Sequence, residues 1–524
     1  LGPLNGGTRR MTHPDAARVL VVVDGEALAW HNSGLEEVPE VAAEVFDVPA
    51  RTAVLLDRIS SWQMEEQETG PSNAGTSENG ARGSPINGIE VRQSSRAATD
   101  IELTRVGTTS RRYLAHVKKL SKKVQIASRV KNGGGVAAQW DWLDWDETSV
   151  MTDCTEKFAR RAVGAVLTAV EEVCMGDTRR AFVACRPPGH HNGCNEALET
   201  AEKNAFRYAS HGGCVFNETA VAIHHLRHLH ALAQLGESTV PRGGGGGGGD
   251  VAVGTSSACK RPGKKLARMA SSASAWRLTC PRLRVAVLDI DVHFGDGTAW
   301  QFYFDPDVLT VSLHVDQTEN KQFPFLKGKA VERGSGAGRG RTLNLPMPEG
   351  MGDAHAWQLL QSFAFPAIVQ FDPHVVFLAF GTDGIAGDPT EANICLSPEF
   401  FARCAHWCRE ACERVVCVLQ GGYQAEPMAA AVEQAVCVLA TDEVYPVNDD
   451  ELEVLSKSQM ETLHMYIEDL ESQINNNSRW WSWEESFEYE PKVRHNPKLM
   501  DLESSVDESN DINSCHRCCE VVQL

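Results

Sequence analysis

The residues best suited to chemistry lie between Arg284 and Gly297, in the run RVAVLDIDVHFGDG. Val285 to Leu288 is short, apolar and β-branched, the pattern of a strand buried on both faces of a parallel sheet. The run then breaks into acid, apolar, acid, apolar, histidine. Side chains alternate along a strand, so Asp289, Asp291 and His293 are expected on one side at its C-terminal end. Two carboxylates and an imidazole held together there resist desolvation unless a cation or proton balances them. The plain alternative is a polar strand end with a solvated acidic loop.

Three more predicted strands end unusually. Ala181 to Cys185 runs into Arg186-Pro187-Pro188-Gly189-His190-His191, Val375 to Phe380 into Gly381-Thr382-Asp383-Gly384, and Val415 to Leu419 into Gln420-Gly421-Gly422-Tyr423. Catalytic groups of open α/β sheets collect at the C-terminal edge, and the coincidence of four such ends outweighs any single motif. Asp291, His293 and Asp383 together offer two hard oxygens and a borderline nitrogen, a set suited to Zn²⁺ or Fe²⁺ with positions left for water and substrate. His190 and His191 sit in a turn that proline and glycine keep out of helix, fit for acid–base work near neutral pH. Asp289 and Asp296 are their natural orienting partners, and Tyr423 could donate its hydroxyl to a developing oxyanion. Taken alone, Asp383 reads first as a loop N-cap, and Tyr423 equally as a ring packed over a loop.

Positioning these residues takes a sheet. Strand, loop and helix alternate from Arg18–Val23 onward, with helices predicted over Tyr113–Val124, Phe158–Met175, Glu218–Leu235, Ala354–Val369 and Pro398–Arg414. A helix entry and helix are expected over Glu37–Ser60, and further strands over Val308–His314 and Thr342–Pro348. Such repetition predicts an α/β fold, a mostly parallel sheet with helices on both faces. Residues from about Met64 to Asp100 lack periodicity and read as a solvated insertion. A second insertion contains the seven glycines Gly243–Gly249 and extends to Pro281. The acidic tail after about Asn448, with Trp480, Trp481 and Trp483, reads as an appendage.

At 524 residues, 42% hydrophobic, the chain can hold one large α/β domain or two to three smaller ones. A net charge of −20 argues against general nucleic-acid binding, while leaving basic partners attractive. The 16 scattered cysteines lack a disulfide framework and read as reduced thiols of an intracellular, cytoplasmic or nuclear protein. No apolar run reaches membrane-span length, and no charged-then-apolar leader opens the chain. Lys260–Lys265 (KRPGKK) is a short basic run of nuclear-localisation type. Cys404, Cys408 and Cys412 share a helical face and read as core, and His224, His225, His228 and His230 read as helix decoration.

In order, RPPGHH, DIDVHFGDGT, GTDGIAGDP and LQGGY resemble the zinc-dependent histone deacetylase family, nearer its class II and acetylpolyamine-amidohydrolase branches. The resemblance runs from Arg18 to Val444 outside the two insertions. It implies the arginase/deacetylase α/β fold in a domain over 17–447, with insertions at about 64–100 and 236–281, a flexible 1–16 and a tail 448–524. The activity implied is hydrolysis of acetyl-lysine amides in proteins, histones among them, with links to chromatin regulation. Deacetylation of acetylpolyamines, or an inactive binding scaffold, are the alternatives. By resemblance Asp291, His293 and Asp383 match zinc ligands, and His191 matches a general base with Asp296. His190 matches its electrostatic or acid partner with Asp289, and Tyr423 the tyrosine on the substrate carbonyl. Asp289, Ser312 and Leu313 fall where the family holds structural K⁺. Asp146 matches an acidic grip on the substrate backbone, and Phe323 one aromatic wall of the substrate tunnel. The opposite wall is Gly213 here, the usual second histidine of the strand-end motif is Phe294, and the loop after His191 is longer than usual.

Overall fold

In a computed structural model, the described residues are 19–30, 49–68, 88–107, 109–131, 154–176, 178–193, 210–238, 280–316, 324, 327–390, 392–441 and 455–475. Eight strands form one sheet: β1 (Val19–Val23), β2 (Ile89–Gln93), β3 (Arg180–Ala184), β4 (Val285–Asp289), β5 (Val308–Val315), β6 (Thr342–Met347), β7 (Val375–Phe380) and β8 (Val415–Leu419). Their order is β2-β1-β3-β8-β7-β4-β5-β6, and every pairing is parallel. Burial on both faces explains the unbroken apolar runs of the central strands, because their two side-chain sets enter separate cores. Val19, Val21 and Val23 pack in one and Leu20 and Val22 in the other, as do Ala286 and Leu288 against Val285 and Val287.

Helices α1 (Gly25–Trp30), α2 (Pro49–Glu68), α3 (Asp100–Leu103), α4 (Arg111–Lys131), α5 (Thr155–Met175) and α6 (Glu218–Ser238) precede β4. After it come α7 (Asp296–Gln301), α8 (Asp353–Leu359), α9 (Phe365–Phe371), α10 (Pro398–Ala411), α11 (Ala425–Ala440) and α12 (Lys457–Asn475). One face is covered by α5 and α6, the other by α9, α10 and α11. From β4 the chain winds outward through β5 and β6, then returns to place β7 on the other side of β4. This reversal opens a crevice beyond the carboxyl ends of the central strands, where binding sites of such sheets form. None of the described helices is long and apolar enough to cross a membrane.

The chain departs from the sequence reading in three places. Part of the stretch Met64–Asp100, read as a solvated insertion, is ordered: α2 runs to Glu68, β2 pairs with β1, and Thr99 caps α3 in a capping box with Glu102. The expected helix Ala354–Val369 is interrupted by a π-turn at Leu360–Ala364. Pro366 stands two residues beyond it; lacking an N–H, it cannot extend a regular α-helical ladder backward. The tail carries α12, which buries Leu463, Leu470 and Ile474 in the core, while the Tyr466 hydroxyl donates to the Pro346 carbonyl. The four histidines of α6 also differ among themselves, since His225 is buried against Glu171 and His230 meets the Cys280 carbonyl.

Candidate active site

Four adjacent strands, β3, β8, β7 and β4, deliver the expected residues to one buried cluster. Asp291, His293 and Asp383 bring ligand-type atoms within 4.8 Å of one another. Nδ1 of His293 lies 3.1 Å from Asp291 Oδ1 and 2.9 Å from Asp383 Oδ2. Backbone donors fix both acids: Val292 N–H reaches Asp383 Oδ1 at 2.9 Å, His293 N–H reaches Asp291 Oδ1 at 2.9 Å, and Gly421 N–H reaches Asp291 Oδ2 at 2.9 Å. Burial opposes charge on His293, yet Asp383 and Asp291 drive its pKa up to about 10. Burial, then the charge of Asp291, lifts Asp383 to about 7. The cluster therefore favours positive charge between its carboxylates, and two carboxylate oxygens with one imidazole nitrogen are a donor set that fits a divalent cation.

Beside it lie two histidine–aspartate pairs. His190 Nδ1 meets Asp289 Oδ2 at 3.0 Å, and His191 Nδ1 meets Asp296 Oδ1 at 2.9 Å, with the two rings 4.0 Å apart. Their environments push them apart. Burial works against charge on His190, but Asp291 and Asp289 prevail and raise it to about 9. Burial and the neighbouring charge of His190 hold His191 well below the usual imidazole range, against the pull of Asp296. Paired groups with opposed shifts are the pattern of an acid and a base.

Tyr423 is half-buried at the end of the GGY loop, anchored by its backbone N–H on Asp388 Oδ2 at 2.7 Å. Asp289 stands beside Ser312 in the β4–β5 register and both line a small cavity, with Leu313 next along β5. Asn344 lines the same cavity, and its buried Oδ1 has no hydrogen-bond partner among the described residues, a donor set that fits a potassium ion. Gly213 has a left-handed φ of +75°, and a Cβ there would meet nothing within 4 Å among the described residues. The positions of Asp146 and Phe323 lie outside the described residues.

Four participants were given no role in the sequence reading. Gln420 accepts the N–H groups of Gly189 (3.1 Å) and His190 (3.3 Å), while its amide donates to the buried Glu218. Burial raises Glu218 to about 7. His211 and Lys327 both reach Asp296. Gln420 lies within LQGGY and His211 two residues before Gly213, so position was the one available clue.

Residues 77–234 and 269–439 match the family model described as the histone deacetylase domain. Among curated relatives, Polyamine deacetylase HDAC10 of Homo sapiens is 30% identical over 294 residues, 55% of this chain and 34% of the relative. Histone deacetylase 6 of Caenorhabditis elegans is 28% identical over 344 residues, 64% of this chain and 29% of the relative. The histone deacetylase-like amidohydrolase of Pseudomonas aeruginosa is 29% identical over 272 residues, 51% of this chain and 54% of the relative. The match thus spans about a third to a half of these relatives' lengths. With more than half of its residues matched to the family model and an all-parallel α/β sheet beneath them, the chain belongs to the histone deacetylase family.

Proposed function

We propose that this chain is a zinc-dependent amidohydrolase that removes acetyl groups from lysine side chains of proteins. One observation carries the reading: an Asp–His–Asp cluster and two His–Asp pairs share one buried strand edge. Asp291, His293 and Asp383 would hold the zinc ion, or Fe²⁺ in its place. When bound, the ion supplies Lewis acidity toward the amide carbonyl and the attacking water. His191 keeps its Nδ1–H on Asp296 and presents Nε2 to take the water's proton. His190, held cationic by Asp289 and Asp291, returns a proton to the leaving amine. The Tyr423 hydroxyl donates to the oxyanion, from a loop that its own backbone N–H ties to Asp388. Asp289, Ser312 and Leu313 would hold potassium beneath the site.

Deacetylation of polyamines is the second reading. It is favoured by the 30% identity to a relative named as a polyamine deacetylase and by the net charge of −20. The deciding experiment offers zinc-loaded protein acetyl-lysine peptides and acetylated polyamines side by side, varying acyl length. A peptide preference is expected. A polyamine preference replaces the first reading with the second, and no turnover of either returns the chain to a binding scaffold.

A further inference from the structure

Asp296 receives four donors among the described residues, and the pairing with His191 accounts for only one of them. Its Oδ1 accepts from His191 Nδ1 at 2.9 Å and from the Gly297 N–H at 3.0 Å. Its Oδ2 accepts from His211 Nε2 at 2.9 Å and from Lys327 Nζ at 3.1 Å. A carboxylate offers about four acceptor positions, so this one is saturated. It is also buried, at 3% exposure, and the His211 ring stands edge-on to His191 with centroids 5.1 Å apart.

We infer that His211 and Lys327 are positioning residues for the general base. They clamp one oxygen of Asp296 so that the other holds His191 in a single tautomer and ring orientation. The inference rests on the reading of His191 as base. A buried carboxylate with one oxygen bonded and the other bare pays a desolvation cost and can turn about its last torsion, which would carry its hydrogen bond off the imidazole. Two donors on Oδ2 remove that freedom. His211 also helps to keep Asp296 acceptor-only: burial alone would raise its pKa, but His211 and the hydrogen bond from His191 hold it well below the usual carboxylate range. With Asp296 unprotonated, the Nδ1 of His191 must be the donor, and Nε2 is left for the substrate side.

The same residues admit one competing account. His191, His211 and Asp296 bring ligand-type atoms within 4.8 Å, a spacing that would suit a second metal ion. Lys327 argues against it, because its ammonium already lies 3.1 Å from Asp296 and supplies the positive charge such an ion would bring.

The test uses the metal-loaded full chain with His211→Ala, Lys327→Met and Lys327→Arg. The Lys327 side chain is about a quarter exposed, so its substitutions carry the least folding risk. His211→Ala and Lys327→Met should each lower kcat about tenfold, the scale on which outer-shell partners act, with KM within about twofold and metal content unchanged. Lys327→Arg should recover most of kcat. A second readout does not depend on turnover: the downfield imidazole N–H proton resonance of the His191–Asp296 pair, identified by its loss in Asp296→Ala. It should persist in wild type and Lys327→Arg and shift or broaden in His211→Ala and Lys327→Met. Wild-type kcat and an unmoved resonance in both of the latter would overturn the clamp. So would loss of a metal equivalent in His211→Ala, which would make the cluster a cation site. If the wild type hydrolyses no acetamide, the functional reading fails while the resonance still decides the clamp.

Discussion

A single methyl group at position 421 would stand where two carboxylates converge. A Cβ there would lie 2.3 Å from Asp383 Oδ2 and 2.6 Å from Asp291 Oδ2, distances that real Cβ atoms do not reach. Neither acid can retreat easily, since Val292 and the Gly421 N–H itself hold them in place. Gly421→Ala should therefore empty the proposed metal site and abolish hydrolysis while circular dichroism stays native. Wild-type metal content in that variant would mean that the two acids do not define the site. Tyr423 poses a different question, because its backbone N–H is anchored to Asp388 while the role proposed for it lies in its hydroxyl. Tyr423→Phe should keep the metal yet lose roughly two to three orders of magnitude in kcat, the usual cost of one oxyanion donor. Loss of metal instead would make the ring structural.

The elements divide into those whose sequence announces them and those whose burial is shared. Strands β4, β7 and β8 are buried along their whole length, so apolar composition alone marks them. Strand β2 is only half-buried at the sheet edge, and IEVRQ within a Gly-, Ser- and Asn-rich stretch shows no such run. In α12 the spacing of Leu463, Ile467, Leu470 and Ile474 is helical, but the surrounding acidic residues hid it in the composition. That helix is structural: Leu470→Ala should cost about 2–5 kcal/mol, read as a lower denaturation midpoint, and an unchanged midpoint would return the tail to an appendage. His211 and Lys327 were illegible because each works through a contact with Asp296 set only by the folded loops. Gly213 changes an expectation of its own. By the family resemblance, an aromatic ring at position 213 would supply the second tunnel wall, a contact worth ~1 kcal/mol. The φ of +75° makes any side chain there cost about 1–2 kcal/mol of backbone strain, so Gly213→Phe would report on folding as much as on selectivity. The open space is better tested in the wild type, by kcat/KM for acetyl against longer or branched acyl peptides. Discrimination of less than about tenfold is expected, whereas a strong acetyl preference would show that another residue closes the wall.

At the scale of the whole molecule, the chain carries 70 acidic against 50 basic residues, and the net charge of −20 acts over distances no single contact spans. The Debye length is about 30 Å at 0.01 M salt and about 8 Å at 0.15 M, so a cationic substrate feels the whole protein in the first case and only its immediate neighbours in the second. A lysine-rich acetyl peptide and an acetylated polyamine are both cationic, and both should be concentrated near the surface at low salt. The immediate surroundings of the site are mixed, with Asp289, Asp291, Asp296 and Asp383 set against His190 and Lys327. Long-range attraction, and little local steering, should then govern the salt response. The expected result is a severalfold fall in kcat/KM for the cationic substrates between those two salt concentrations, with an uncharged acetamide nearly unaffected. Taking the ratio of the two substrates cancels any direct action of salt on the metal or on the histidine pair. A ratio that stays constant across the titration would mean that the acidic surface lies too far from the mouth of the site to guide what enters it.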